Sequence, residues 1–206
     1  MANAIDVGKF GASLRTISNG IPNECVRARS LLALCDAVLV DAVRLVGAAE
    51  AREGGLVAAR SLRHDVTMAE SRFASYHTAV PASDSTALDA RIACESVVQY
   101  VLDGRTSDPS MPALAQPDGE AVASLWNRAL VLTRTLDPAT PDPEAIEVLT
   151  KAADSARAAI GEAAGSAFDT VKEAVKDVAD RAQSVAMMLA IGLGLAFGLW
   201  LLLGRK

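Results

Sequence analysis

Residues 22–55 read PNECVRARSLLALCDAVLVDAVRLVGAAEAREGG, and this stretch predicts the fold class. Its apolar side chains recur every three or four positions, which is the spacing of one face of an α-helix. Pro22 and Asn23 are typical of a helix start, and Gly54-Gly55 is typical of a helix end. We therefore expect one long helix over about 23–53. Its apolar stripe consists of Val26, Leu32, Cys35, Leu39, Ala42, Leu45, Val46 and Ala49.

Three more segments repeat this spacing after the first helix. Pro81 ends one of them, Ser83 or Asp84 can cap the next, and Asp118 is the expected N-cap of the last. The proline-rich stretch 104–117 between the last two is a loop, and strand-like alternation is not visible. The sequence therefore predicts an all-α fold, with a bundle of about four helices over 22–137. The three helices that follow the first one are expected at about 56–79, 85–102 and 119–136.

The first 21 residues have weaker helical signals than the bundle. Apolar residues recur at near-helical spacing, but three glycines lower the helix propensity. We expect residues 1–21 to be an N-terminal arm, either a short docking segment or a frayed end. The apolar residues are Ile5, Phe10, Leu14, Ile17 and Ile21, and the glycines are Gly8, Gly11 and Gly20.

After the bundle, residues 138–143 form a proline-rich connector, and residues 144–184 have the pattern of an amphipathic, alanine-rich stalk helix. The stalk is either an oligomeric coiled coil or a helix that folds back on the bundle. Because alanines bury little area, a free dimeric coil would be weak, and we favour packing within the protein or against neighbouring subunits. The apolar row is Ile146, Leu149, Ala153, Ala156, Ile160, Ala163, Ala167, Val171, Ala174 and Val178.

Residues 185–203 read VAMMLAIGLGLAFGLWLLL and contain no charged residue. As a helix, this stretch is close to the roughly 30 Å hydrocarbon thickness of a bilayer. It predicts a long C-terminal helix that continues into a single transmembrane span and acts as a C-terminal anchor in the lipid bilayer. The N-terminal residues lack a signal-peptide pattern, so the soluble part is expected to be cytoplasmic, or inside a membrane-containing virion. The expected membrane flanks are Arg181, Trp200, Arg205 and Lys206.

Small residues recur at every fourth position through the anchor. Such a row lets helix backbones approach closely in lipid, so it predicts a homo-oligomer or packing on other membrane helices. The alternative is that alanine and glycine are simply common in the span of an alanine-rich protein. The helix-packing row consists of Ala182, Ala186, Ala190, Gly194 and Gly198.

The C-terminal part resembles the ElaB/YqjD type of bacterial inner-membrane protein. The resemblance lies in AAG at 163–165, VA at 185–186, GLG at 192–194 and LGRK at 203–206, and it covers about a quarter of the chain. It implies an alanine-rich charged helix leading into a glycine-containing C-terminal span. The preceding helical region has no counterpart in those short proteins, so the likeness is one of architecture and does not carry over ribosome association.

Composition excludes some classes of partner. The formal net charge is −5, so nucleic acid is not expected to be a main partner.

Three cysteines, Cys25, Cys35 and Cys94, are an odd number without C-x-x-C spacing, and we expect buried, reduced thiols.

Catalytic patterns are weak. The two histidines, His64 and His77, lack the glutamate spacing of di-iron bundles, and zinc, phosphate-loop or nucleophile-elbow motifs are not visible. Asp36 and Asp41 are about 140° apart around one helix, so we expect them to be solvated or paired with arginine. Arg60, Arg63 and His64 are expected to form a solvated basic face. We expect no catalytic, cofactor-binding or metal-binding residues, no cofactor and no small-molecule substrate.

These patterns favour a non-enzymatic, C-terminally membrane-anchored helical scaffold or adaptor that self-associates or packs with membrane partners. The alternative is a membrane-associated structural or DNA-delivery component of a bacteriophage virion, because small, alanine-rich chains with one span and few motifs are common there. An enzyme or metal carrier is disfavoured, since inward-facing histidine and carboxylate ligands are not apparent.

Overall fold

The computed structural model describes residues 4–82 and 86–138. These residues form five α-helices and no strand, which confirms the all-α helical bundle. The predicted stalk, the transmembrane span and all but the first residue of the connector lie outside the described residues. The helices are α1 (Val7–Gly20), α2 (Glu24–Glu50), α3 (Gly55–Ala79), α4 (Leu88–Asp103) and α5 (Asp118–Leu136).

α2 and α3 form a long antiparallel hairpin. The Asn23 side chain caps α2 by accepting hydrogen bonds from the amides of the two residues after Glu24, each at 3.0 Å. Gly54 has φ +74° before α3, a left-handed conformation that favours glycine. His77 lies against Asp36 at one end of the hairpin, and Arg63 pairs with Glu50 near the turn. The predicted bounds of both helices are therefore correct to within a few residues.

α4 and α5 lie end to end alongside α2, and both run in its direction. Cys94 of α4 is bonded to Cys25 at the start of α2, whereas Trp126 of α5 donates a hydrogen bond to Asp41 further along α2. Between them, Gly104 ends α4 with φ +69°, and its carbonyl accepts from the Leu114 amide at 2.6 Å. The bundle thus has four helical positions in cross-section, and one of them is shared by two consecutive helices.

α1 occupies the fourth position, antiparallel to α5. The Asn127 side chain exchanges two hydrogen bonds of 2.8 Å with the backbone of Ile5. The apolar side of α1, with Phe10, Leu14 and Ile17, is buried in the core. The segment expected to dock or to fray is therefore a full helix of the bundle, because this burial outweighs the low helix propensity of its glycines.

The described residues have one hydrophobic core to which all five helices contribute. Trp126 is its largest fully buried side chain, and several alanines on α2, α3 and α5 are completely buried where helices approach closely. Two buried hydroxyl groups are satisfied locally, since Ser30 and Thr133 donate to carbonyls one turn earlier.

The expectation of three reduced cysteines is wrong for two of them. Cys25 and Cys94 form a disulfide with a Cα–Cα distance of 5.0 Å across 69 residues of sequence. Cys35 remains a free, buried thiol, as expected. The pairing could not be recognised from spacing, because it depends on α4 returning to the start of α2.

Two helix starts differ from expectation. α4 begins at Leu88 after Ala87, and the expected caps Ser83 and Asp84 lie outside the described residues. α5 begins at Asp118 itself, with Pro117 in the cap position. The carboxylate of Asp118 points to α3 instead of capping its own helix. Over residues 4–82 and 86–138, none of the helices combines the length and apolar character needed to cross a bilayer.

Candidate functional site

A concave feature of the described residues is a groove between α3 and α5, which we call the α3–α5 groove. The two helices run antiparallel there and enclose a cavity of about 250 Å³. Its walls combine apolar side chains with arginine and aspartate. The lining residues are Asp65, Met68, Ala69, Arg72 and Phe73 of α3, Gln116 of the preceding loop, and Asp118, Ala121, Val122, Ser124, Leu125 and Arg128 of α5.

Asp118 forms the polar end of the groove. Its two oxygens accept separate hydrogen bonds, one from Arg72 at 2.7 Å and one from the Tyr76 hydroxyl at 2.6 Å. The Asp118 side chain is only 4% exposed, so its charge depends on these two donors. Burial and the bond to Asp118 raise the pKa of Tyr76 well above its ordinary value, which keeps the hydroxyl a neutral donor.

Arg72 is held in its charged form by the same contact. Burial is the largest influence and acts against its charge, but the hydrogen bond and the charge attraction to Asp118 together outweigh it and raise the pKa of Arg72. Beneath this pair, the Tyr76 ring lies between Phe73 and Tyr100, with centroid distances of 5.7 and 6.1 Å. The polar groups of Arg72, Asp118 and Tyr76 are therefore used in contacts with one another.

A second ion pair crosses the groove two turns further along. Arg128 of α5 lies 2.8 Å from Asp65 of α3, and both side chains are partly exposed. The apolar residues Met68 and Leu125 line the space between the two ion pairs. An apolar surface with a polar border is typical of a site where another helix packs.

The two aspartates of α2 lie on different sides of the helix; Asp41 has the expected arginine partner, whereas Asp36 pairs with a histidine. Asp36 lies 2.6 Å from His77, whereas Asp41 pairs with Arg44 and accepts the Trp126 indole hydrogen bond. Burial raises the pKa of Asp36, and the neighbouring His77 partly offsets that effect. The two carboxylates do not converge on a common site.

The expected basic face of α3 is divided by the structure. Arg63 pairs with Glu50 of α2, and this hydrogen bond lowers the pKa of Glu50 and raises that of Arg63. Arg60 and His64 remain exposed.

Burial raises the pKa of the Cys35 thiol, so it stays protonated. Over the described ranges, a cluster of three metal-ligating side chains does not occur.

The site residues predicted from sequence lie elsewhere. The helix-packing row from Ala182 to Gly198 and the flanks Arg181, Trp200, Arg205 and Lys206 are all outside the described residues. The α3–α5 groove was missed. Its only local signal is the four-residue spacing of Arg72 and Tyr76, which places both on one side of α3, but their partner Asp118 is 42 residues from Tyr76.

Comparison of the chain with protein-family models, with curated proteins and with solved structures finds no match to any of them.

Proposed function

We propose that the chain is a non-enzymatic helical scaffold or adaptor, held at a membrane by residues 185–203, that self-associates or packs with membrane partners. The supporting observation is the division of the chain into two chemically different parts. The five described helices bury one shared core, and the uncharged apolar stretch 185–203 follows beyond them. A self-contained bundle joined to a lipid-compatible segment is the layout of a protein that presents a domain at a bilayer.

The anchor is tested by membrane fractionation with alkaline washing. The full chain should stay with the membrane, and a chain of residues 1–180 should be released. Leu193→Arg with Leu195→Arg should also release the protein, because each arginine near the centre of a span costs about 3 kcal/mol of insertion free energy. The matched control adds two arginines to the stalk, Ala152→Arg with Ala158→Arg, and should stay bound. Full-length protein in the soluble fraction would exclude the anchor.

A second candidate is supported by the Cys25–Cys94 disulfide. Disulfides persist in oxidising surroundings, which include virions outside the cell, and are rare in the reducing cytosol. This bond favours a membrane-associated structural or DNA-delivery component of a bacteriophage virion over a cytoplasmic location of the bundle. Purified particles should then contain the chain with Cys25 and Cys94 bonded. A bundle isolated from the cytosol with three free thiols would favour the first candidate.

A further inference from the structure

The α3–α5 groove continues as an apolar face beyond its cavity. Val57 lies eleven residues before Met68, which is about three helical turns, so both lie on one side of α3. Val131 lies two turns after Ser124 on α5. Val57, Met68 and Val131 are 75%, 53% and 64% exposed. Three large apolar side chains thus lie on the solvent side of two adjacent helices, along one groove.

The chain leaves the described bundle at the same end of this face. α5 ends at Leu136, and Asp137 pairs with Arg52 in the turn before α3, so the described chain ends at the Val57 end of the groove. Prolines at 138, 141 and 143 prevent α5 from continuing. A connector of this length is sufficient to reverse the chain between antiparallel helices.

We propose that residues 144–160 of the same chain pack as a helix in the α3–α5 groove. The apolar row of this segment matches the groove in length, because Leu149 and Ile160 are eleven residues apart, as are Val57 and Met68. In this direction, antiparallel to α5 and parallel to α3, Leu149 lies against Val57 and Ile160 reaches the cavity beside Met68.

The middle of the segment also fits. Ala153 and Ala156 separate the larger side chains, and such small residues allow a close approach over the Asp65–Arg128 ion pair. The groove is therefore a contact within the chain that connects the bundle to its stalk. This inference does not depend on the anchor or on the biological role proposed above.

Thiol labelling of the full chain tests the contact. Cys25 and Cys94 are bonded and Cys35 is buried, so an introduced surface cysteine is the reactive one in the folded protein. Met68→Cys reports on the groove. Val40→Cys is the control, because Val40 is 68% exposed on α2, which does not line the groove. Met68→Cys should react with a maleimide at least about tenfold more slowly than Val40→Cys.

The protection should depend on the apolar row of the segment. Leu149→Glu with Ile160→Glu should bring labelling of Met68→Cys to within about threefold of the control rate. Ala158→Glu places the same charge on the opposite side of the segment and should leave the protection intact. Equal labelling of Met68→Cys and Val40→Cys, or equal relief by Ala158→Glu, overturns the proposal. Protection that disappears on dilution also overturns it, because the occupant is then a second copy.

Discussion

The position of Asp118 in the sequence is compatible with two roles, a cap of its own helix or a contact with another helix. An aspartate before a helix can accept hydrogen bonds from the first free amides, and this predicts Asp118 as the N-cap. In the folded chain the carboxylate is buried and accepts hydrogen bonds from Arg72 and Tyr76 of another helix. A buried charge with two donors is a tertiary contact, so its loss should affect the whole bundle.

Asp118→Ala should therefore lower the free energy of unfolding by about 2–3 kcal/mol, because it leaves the Tyr76 hydroxyl and Arg72 without their acceptor. Urea unfolding followed by circular dichroism measures the change. Asp65→Ala is the matched control, since it removes an aspartate–arginine pair across the same groove that is partly exposed, and should cost less than about 1 kcal/mol. Equal losses for the two variants would contradict the role of Asp118.

Stability should fall in acid through carboxylates paired with arginine. The hydrogen bond with Arg91 lowers the pKa of Glu24 from its ordinary 4.5 to about 2, and Arg63 lowers that of Glu50. Because the unfolded chain binds these protons first, stability is lost as pH falls from 4.5 toward about 2. Asp36 acts in the opposite direction, since its pKa is raised.

Urea midpoints between pH 7 and pH 3 measure this dependence. The urea concentration at the wild-type midpoint should decrease once the pH falls below about 4.5. Glu24→Gln should show a smaller acid loss, whereas Asp36→Asn should show a larger one, because it removes the carboxyl whose protonation favours the folded state. A Glu24→Gln profile parallel to the wild type would show that the Arg91 contact does not contribute.

Among the elements, α1 depends on a close approach to the start of α5. A Cβ atom added to Gly119 would lie 2.4 Å from Leu14 Cδ1 and 3.0 Å from the Val101 carbonyl oxygen of α4. Gly119→Ala should cost about 1–3 kcal/mol of stability through this overpacking. Gly8→Ala, on the exposed side of α1, should be neutral or stabilising by up to about 1 kcal/mol. Thermal unfolding of both variants compares them, and destabilisation by Gly8→Ala alone would contradict the packing described.

Sequence periodicity predicts the helices because each helix buries one apolar side, and this burial produces the periodic pattern within that helix's own sequence. The starts and ends of α2 and α3 follow from Asn23, Gly54 and Pro81, which act on their own backbone. The docking of α1, the disulfide and the Asp118 contacts depend on residues far apart in sequence. Asp118 also shows that one acidic residue has two plausible uses at a helix start, and only the position of Tyr76 decides between them.

The pairing of α2 with α4 gives a chemical prediction. The unfolded chain should contain one titratable thiol, that of Cys35, without reductant, and all three after reduction. Reduction should lower the free energy of unfolding by about 4 kcal/mol, because the bond closes a loop of about 70 residues. Cys94→Ser should make stability insensitive to reductant, whereas Cys35→Ala should remain sensitive. Three free thiols in the oxidised preparation would exclude the bond.

For the whole molecule, assembly is expected to depend on the small-residue row of the anchor. Gly194→Ile with Gly198→Ile should reduce detergent-resistant oligomers by about tenfold, because the added side chains prevent close helix approach. Leu195→Ile with Leu199→Ile leaves the row intact and should retain the oligomers. Quantitative crosslinking in membranes measures both, and unchanged oligomers in the glycine variant would remove the row as the contact.

The Cys25–Cys94 disulfide determines how the chain would carry a mechanical load. A pull between the N-terminus and the part of the chain beyond α5 passes directly from Cys25 to Cys94, so most of α2 and all of α3 carry no tension. The 69 intervening steps shorten the stretched contour by about 240 Å relative to the reduced chain. Tension instead falls on α1, on the part of α4 after Cys94 and on α5, so the oxidised protein would yield there while the α2–α3 hairpin remains folded.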